Sequence, residues 1–219
     1  MPSIPKIIHH GWVSDTPFPE DLNDLRLSWI NCNPDYTFLF WTIADLLKPG
    51  MDLLPCAREL LSSNIHYVMK SDIARWEVLR LFGGIYSDTD VRCLKNFDSL
   101  LVNTKGKCFV GKSYAPNGMG NAVVGAYPGH PLMKRLSSMT AGIIRSHRDN
   151  GIHDMQTECD NVNLAGKLLA EAEVIFPVWY FYPYSWYSVV HCRNGSFPDS
   201  YTEHLWHGID KGWTKDIKR

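Results

Sequence analysis

The chain has 219 residues, of which 45% are apolar and 21% charged, and its 22 basic and 23 acidic residues give a net charge of −1. This length fits a single domain over residues 1–219, and the composition is typical of a globular protein. The lack of a basic excess argues against a dedicated nucleic-acid binder. No stretch approaches the roughly 20 apolar residues of a membrane-spanning helix, so we expect no span within the chain, with an anchor upstream of it left open.

Cysteine and histidine spacing excludes several kinds of site. The six cysteines lack the paired spacing of a zinc framework, and a chain of this length does not need disulfides, so we expect reduced thiols and a cytoplasmic setting. The nine histidines form no H-E-x-x-H motif. No G-x-G-x-x-G or P-loop motif is present, which argues against dinucleotide or ATP binding.

The first elements alternate between strand and helix. Residues 4–12 predict an opening strand, and apolar positions recur with helical spacing over residues 20–32. The run YTFLFW at residues 36–41 predicts a second strand, because aromatic and β-favouring residues dominate it. Thr42 is then placed to cap a short helix that extends to residue 47.

The most apolar helix is predicted over residues 68–82, and Gly83-Gly84 ends it. A short strand at residues 85–86 then leads directly into Ser87-Asp88-Thr89-Asp90. Further strands are predicted at 107–111, 122–126 and 173–177, a helix at 130–147, and an irregular tail from residue 201. The early alternation of strands and helices favours an α/β domain with a mainly parallel central sheet.

Two carboxylates follow the predicted strand at 85–86. Ligands bind beyond the carboxyl ends of the strands in such sheets, and Asp88 and Asp90 fall at that kind of position. Carboxylate oxygens suit a hard divalent cation such as Mg²⁺ or Mn²⁺. A D-x-D pattern alone is usually a solvated turn. The preceding apolar helix and the glycine pair favour a metal site, because they connect the carboxylates to core elements.

Asp72 and Arg75 lie three positions apart on the predicted helix and therefore share a face. They form either an intrahelical ion pair, which contributes only a few tenths of a kcal/mol if exposed, or a charged pair that projects into the cleft beside Asp88. The pattern does not decide between these interpretations.

The segments KSDIAR, at residues 70–75, and GGIYSDTDV, at residues 83–91, closely resemble the DXD-containing sugar-binding region of the OCH1-like glycosyltransferases, glycosyltransferase family 32. The opening strand with Trp12, the loop at Asn121 and the motif His204-Leu205-Trp206 resemble further segments of that family, in the same order. The resemblance implies a GT-A fold and transfer of a sugar with retention of anomeric configuration. It also implies a nucleotide-sugar donor, UDP-linked in preference to GDP-linked, and a glycan, polysaccharide or protein as acceptor.

The resemblance implies roles for individual residues. Asp88 and Asp90 would be the catalytic pair; Asp90 would bind Mn²⁺ or Mg²⁺ directly, and Asp88 would bind ribose, the metal or both. The other residues implied at the donor or metal are Trp12 near the base, Asp72, Arg75, Tyr86 and Asn121 at the donor, and His204 beside the diphosphate or metal.

One departure from the family affects the metal ligands. The chain has a single histidine, His204, where many relatives have two adjacent histidines, so His207 is an alternative to it. A second functional hypothesis is a non-catalytic nucleotide-sugar or carbohydrate-binding module of the same fold. The presence of both carboxylates favours the enzyme, because a degraded site would be expected to lose one of them.

Other aromatic and histidine residues have structural interpretations. The run WYFYPYSWY at residues 179–187 either packs under the sheet or forms part of an acceptor-binding wall, and we expect a mixture. One ring of His9 and His10 is expected to satisfy a hydrogen bond in the core. His130 is expected to begin a helix.

Overall fold

A six-stranded sheet forms the centre of the fold in the computed structural model, which describes residues 3–115, 118–152, 154–188, 192 and 195–207. The strands are β1 (Ile7–Gly11), β2 (Thr37–Trp41), β3 (Gly84–Ser87), β4 (Val91–Cys93), β5 (Phe109–Lys112), β6 (Met119–Ala126), β7 (Val174–Phe176) and β8 (Thr202–His204). The sheet order is β2-β1-β3-β6-β5-β7, and β6 alone runs against the other five strands. The predicted α/β fold with a mainly parallel sheet is confirmed.

Helices cover both faces of the sheet. They are α1 (Asn23–Cys32), α2 (Ile43–Leu46), α3 (Pro55–Leu61), α4 (Tyr67–Phe82), α5 (Asp98–Thr104), α6 (Pro131–Asp149) and α7 (Asp154–Leu169), with short 3₁₀ turns at Glu20–Leu22, Val178–Tyr180 and Trp186–Ser188. Thr42 forms the predicted cap of α2, and His130 accepts a hydrogen bond from the Leu132 N–H at the start of α6. No helix in the described ranges is both long and apolar enough to cross a bilayer.

The prediction of an irregular tail is wrong at its start. Residues 202–204 form β8, which pairs antiparallel with β4 in a separate two-stranded ribbon, with Val91 opposite His204. Three residues are too few to show the alternation of a strand, so the pairing arises from tertiary contact. The rest of the predicted tail, from residue 208 onward, lies outside the described residues.

The glycine pair after α4 is required by its surroundings. Gly83 has φ +61° and Gly84 has φ +96°, a region that side chains with a Cβ rarely adopt. A Cβ on Gly83 would lie 2.5 Å from Pro128 Cδ, and one on Gly84 would lie 2.6 Å from the Ile7 carbonyl oxygen. The chain can therefore turn tightly from α4 into the central strand β3, which fixes the helix relative to the end of that strand.

Glu77 is a fully buried carboxylate that connects three parts of the fold around α4. It accepts hydrogen bonds from the Leu54 N–H at 2.8 Å, from Arg80 Nη2 at 2.9 Å and from the Ser137 hydroxyl at 2.6 Å. These partners lie before α3, on α4 and on α6. A buried charge is tolerated when it is paired and hydrogen-bonded in this way, so Glu77 holds the helical layer over the sheet.

The aromatic run at residues 179–187 has both of the predicted environments. Phe181, Tyr182 and Tyr184 are buried, whereas Trp179, Trp186 and Tyr187 are among the most exposed large apolar residues of the described chain. Whether the exposed ones contact an acceptor stays a prediction.

His9 and His10 point to opposite faces of β1. His9 Nε2 donates to the Gly83 carbonyl at 2.7 Å, and its Nδ1 accepts from Trp41 Nε1 at 3.0 Å, which confirms the predicted core hydrogen bond. His10 packs edge-on against Trp29 and Phe38, and neither of its ring nitrogens has a hydrogen-bond partner among the described residues. Burial lowers the pKa of His10 to about 3, with Arg26 and His9 acting in the same direction and Asp90 opposing them.

This burial predicts an acid-sensitive stability. The pKa of His10 is lower in the folded chain than the ordinary 6.5, so below pH 6.5 the unfolded chain binds more protons than the folded chain. The free energy of unfolding therefore decreases as the pH is lowered. Replacing His10→Phe should remove about 2 kcal/mol of the loss between pH 6.5 and pH 5, measured by urea unfolding. A His66→Asn variant, which changes an exposed helix cap, should keep the wild-type slope. If His10→Phe loses as much unfolding free energy between pH 6.5 and pH 5 as the wild type does, His10 is not the source of the acid sensitivity.

Candidate metal centre

The two carboxylates of the D-x-D motif lie in a tight turn at the carboxyl end of β3. The Asp88 N–H donates to the Ala122 carbonyl at 2.9 Å and thereby continues the ladder between β3 and β6 by one residue. The Val91 N–H then donates to the Asp88 carbonyl at 3.2 Å, and β4 begins. The chain leaves the sheet between these two bonds. Both carboxylates are therefore positioned by core backbone rather than by a free loop.

Three side chains that can bind a metal converge beyond this turn. Asp88, Asp90 and His204 each offer one ligand atom, and these atoms lie within 4.8 Å of one another. His204 Nε2 is 3.1 Å from Asp90 Oδ1, and the backbone N–H of His207 donates to Asp90 Oδ2 at 3.1 Å. Of the two histidines considered from the sequence, His204 brings its ring to the carboxylates, and His207 contributes its backbone.

The β4–β8 ribbon brings His204 to this position. Arg92 Nη1 donates to Glu203 Oε2 at 3.0 Å across the ribbon, and the Tyr184 hydroxyl donates to Glu203 Oε1 at 2.9 Å. The Leu205 N–H donates to the Asp90 carbonyl at 3.0 Å just beyond β8. Sequence reasoning did not find these supporting residues, because no local pattern connects residue 92 with residue 203.

Arg75 links α4 to the acidic turn. Its Nη2 is 2.7 Å from Asp88 Oδ1 and its Nη1 is 3.4 Å from Asp72 Oδ1. Arg75 and Asp72 are each only 4% exposed. The two residues pair within the helix, and Arg75 also reaches Asp88, as the second interpretation requires; contact of the pair with donor hydroxyls stays a prediction. Because the pair is buried, it is more than a surface ion pair.

The pKa shifts show that negative charge is crowded here. Burial raises the pKa of Asp88, and Arg75 offsets this only in part, while the adjacent Asp90 raises it further. Burial also disfavours ionised Asp90, but the positive charge and hydrogen bond of His204 outweigh it, so the pKa of Asp90 is lowered. Burial raises the pKa of Asp72 to about 6 against the opposing effect of Arg75. A cation between Asp88 and Asp90 would relieve this repulsion.

Several buried polar atoms at the site have no hydrogen-bond partner within the part of the chain that the structure describes. They are Asp72 Oδ2, Arg75 Nε, His204 Nδ1 and Trp206 Nε1. Buried polar groups are normally paired in native proteins, so these atoms are available to a polar ligand or to water. Two carboxylates and one imidazole suit a transition ion such as Mn²⁺ better than Mg²⁺, which prefers oxygen ligands only. The residues present therefore fit the predicted metal.

The remaining residues predicted at the donor have different surroundings. Trp12 follows β1, which is parallel to β3, so it lies at the same edge of the sheet; its Nε1 donates to the Thr16 carbonyl at 2.7 Å. Tyr86 is only 1% exposed, and its ring lies beneath Arg75, so it supports the guanidinium from below. Asn121 is half-buried on β6, next to the residue that pairs with Asp88. Their contacts with a donor stay predictions.

Part of this chain is similar in sequence to known proteins. Residues 19–107 match the family described as "Glycosyltransferase sugar-binding region containing DXD motif". The chain is 31% identical over 134 residues to inositol phosphoceramide mannosyltransferase 3 of Schizosaccharomyces pombe, which covers 61% of this chain and 36% of the relative. It is 32% identical over 133 residues to mannosyl phosphorylinositol ceramide synthase CSH1 of Saccharomyces cerevisiae, and this match covers 61% of this chain and 34% of the relative. The chain thus spans about a third of the length of these curated relatives.

Solved structures share the fold at low sequence identity. The PaToxG glycosyltransferase superposes with a TM-score of 0.59 at 20% identity, over 78% of this chain and 70% of that one. The glycosyltransferase GlyE of Streptococcus pneumoniae TIGR4 superposes with a TM-score of 0.53 at 10% identity, over 93% of this chain and 55% of the GlyE chain. The chain therefore has the GT-A fold, and residues 19–107, which contain the D-x-D motif, match the family described for the DXD-containing sugar-binding region.

Proposed function

We propose that this chain is a metal-dependent glycosyltransferase that moves a hexose from a nucleotide-diphosphate sugar to a hydroxyl acceptor, with retention of anomeric configuration. The observation that carries the proposal is the convergence of Asp88, Asp90 and His204 within 4.8 Å, beside the buried Asp72–Arg75 pair. The family of residues 19–107 and the named activities of the curated relatives support the transferase class. Retention rests on the resemblance to family 32.

Some residues of the site would bind the cation, and others would bind the donor. Asp90 and His204 would hold a divalent cation, with Asp88 as a third ligand, and the His207 N–H would fix the orientation of Asp90. A cation bound there would act as a Lewis acid that stabilises the negative charge on the departing nucleoside diphosphate. Arg75, through its bond to Asp88 Oδ1, would keep that carboxylate turned toward the cation.

Asp72 and Arg75 would hold the donor sugar. Asp72 Oδ2 and Arg75 Nε are buried and have no hydrogen-bond partner in the described ranges, and a buried acceptor or donor left unpaired costs about 1–3 kcal/mol. Sugar hydroxyls can donate to the carboxylate and accept from the guanidinium, so a bound sugar would remove that cost. The acceptor hydroxyl would attack from the face that the diphosphate leaves, and a phosphate oxygen of the donor would take its proton.

The donor and acceptor are proposed as classes. The relatives' names give mannose as the transferred sugar and inositol phosphoceramide as the acceptor. The resemblance of the motifs favoured a UDP-sugar and a glycan, polysaccharide or protein acceptor. GDP-mannose and UDP-hexoses are therefore the donors to compare, and an inositol-phosphate lipid joins the acceptors.

The metal ligand Asp90 provides the first test. Asp90→Ala should lower Mn²⁺-dependent donor hydrolysis and transfer by roughly 100- to 1000-fold, because the leaving group loses its charge stabilisation. The rates are measured with radiolabelled donor, with folding checked by circular dichroism. Asp149→Ala, which removes an exposed carboxylate at the end of α6, should retain the wild-type rates. Near-normal transfer by Asp90→Ala would refute the proposal.

The two histidines provide a matched pair. His204→Ala removes the imidazole at 3.1 Å from Asp90, so Mn²⁺ affinity should fall by roughly 10- to 100-fold or more. His207→Ala keeps the backbone N–H that donates to Asp90, and its affinity should stay close to that of the wild type. Calorimetric titration with Mn²⁺ measures both. If His207→Ala weakens binding and His204→Ala does not, the ligand assignment is reversed.

A donor screen separates the enzyme from the binding module of the same fold. Because a ligand that binds only the native state raises its apparent stability, the true donor should raise the melting temperature in the presence of Mn²⁺. The shift should disappear in Asp90→Ala. A donor that stabilises the chain but is neither hydrolysed nor transferred to any acceptor would favour the non-catalytic module.

A further inference from the structure

Two cysteine thiols meet where α1 packs against β4. Cys32 is the last residue of α1 and is partly exposed, whereas Cys93 is the last residue of β4 and is buried. Cys32 Sγ lies 3.7 Å from the Cys93 carbonyl oxygen, so the two cysteines are in direct contact. Both are free thiols in this structure.

The backbone around the pair is held on both sides. The Cys93 N–H donates to the Ser28 hydroxyl at 2.9 Å, and Asn33 Nδ2 donates to Cys93 Sγ at 3.4 Å. Asn33 also receives the Phe97 N–H on its Oδ1 at 2.9 Å. α1 and the chain after β4 are therefore fixed next to each other by groups other than the thiols, which keeps the two cysteines adjacent.

The two thiols differ in reactivity. The neighbouring Cys93 thiol lowers the pKa of Cys32 to about 7 despite partial burial, which increases the thiolate fraction of Cys32 at neutral pH. Burial, together with the neighbouring Cys32 thiol, raises the pKa of Cys93. An accessible thiolate beside a buried thiol is the arrangement in which one cysteine attacks a disulfide and the other resolves the product.

We propose that Cys32 and Cys93 form a reversible disulfide by exchange with a low-molecular-weight disulfide such as oxidised glutathione. The Cys32 thiolate attacks one sulfur of glutathione disulfide and releases one glutathione thiolate. The Cys93 thiol then loses its proton to solvent and attacks Cys32 Sγ of the mixed disulfide, which releases the second glutathione. Two protein thiols are oxidised, and one glutathione disulfide is reduced to two thiols.

The bridge would connect α1 to the ribbon that presents the metal ligands. β4 pairs with β8 in a register that sets Val91 opposite His204 and Cys93 opposite Thr202. A Cys32–Cys93 bond would close the loop of chain that contains α4 and the D-x-D turn, and a closed loop restricts the unfolded state. Oxidation should therefore raise the melting temperature. The bridge is independent of the transferase proposal, because its formation requires neither donor nor metal.

The experiment exposes the native full chain to a series of reduced and oxidised glutathione ratios, followed by alkylation and mass spectrometry. We expect a loss of two hydrogens in intact mass, one peptide pair linked through Cys32 and Cys93, and a rise in melting temperature that dithiothreitol reverses. Cys93→Ser should instead accumulate glutathione on Cys32, because the resolving thiol is gone. Cys56→Ser, which changes a partly exposed cysteine on α3, should form the bridge as the wild type does.

Two results would overturn the inference. One is stable glutathionylation of Cys32 in the wild-type chain with no linked peptide, which would show that Cys93 cannot resolve it. The other is a linked peptide accompanied by a lower melting temperature, which would show that the native geometry must be distorted to make the bond. Cys32→Ser tests folding separately, since this partly exposed position should accept serine with little change in the melting temperature of the reduced protein.

Discussion

The balance of charge in a small buried volume is the constraint on which this structure depends. Asp72, Asp88 and Asp90 bring three carboxylates to one edge of the sheet, where the Arg75 guanidinium and the His204 imidazole pair with them. The effective penalty for burying an unpaired charge is several kcal/mol, so each of these groups must be held where its partner can reach it. The glycine turn between α4 and β3 holds Arg75 next to Asp88, and the pairing of β4 with β8 holds His204 next to Asp90.

Sequence reasoning recovers the half of the site that is local in the chain. Asp72 and Arg75 lie on one face of a helix whose apolar pattern is unambiguous, and the glycine pair marks its end. The parallel strands β1 and β3 follow from runs of apolar residues, so the edge at which Trp12 and Asp88 lie is also predictable. These features depend only on the order of residues within a short segment, so they can be predicted from the sequence.

The other half is not local, and the sequence does not display it. β4 and β8 contain three residues each and pair across more than a hundred positions, so neither has a readable pattern, and the supporting bonds of Glu203 are equally remote. The single histidine in the terminal motif left His204 and His207 as alternatives until the ribbon placed the ring of one and the backbone of the other. The aromatic run at residues 179–187 divides between core and surface because it bends with 3₁₀ turns, which have no extended period.

The late position of β8 has a consequence for the order in which the protein matures. All six strands of the central sheet lie before residue 177, whereas His204 follows them by almost thirty positions. A nascent chain can therefore assemble its sheet while His204, the proposed third metal ligand, is still within the ribosome. Under the proposed metal assignment, the complete ligand set would form only when the last strand pairs with β4, and a partner that occupied β4 first would leave the protein folded but with a weakened metal site.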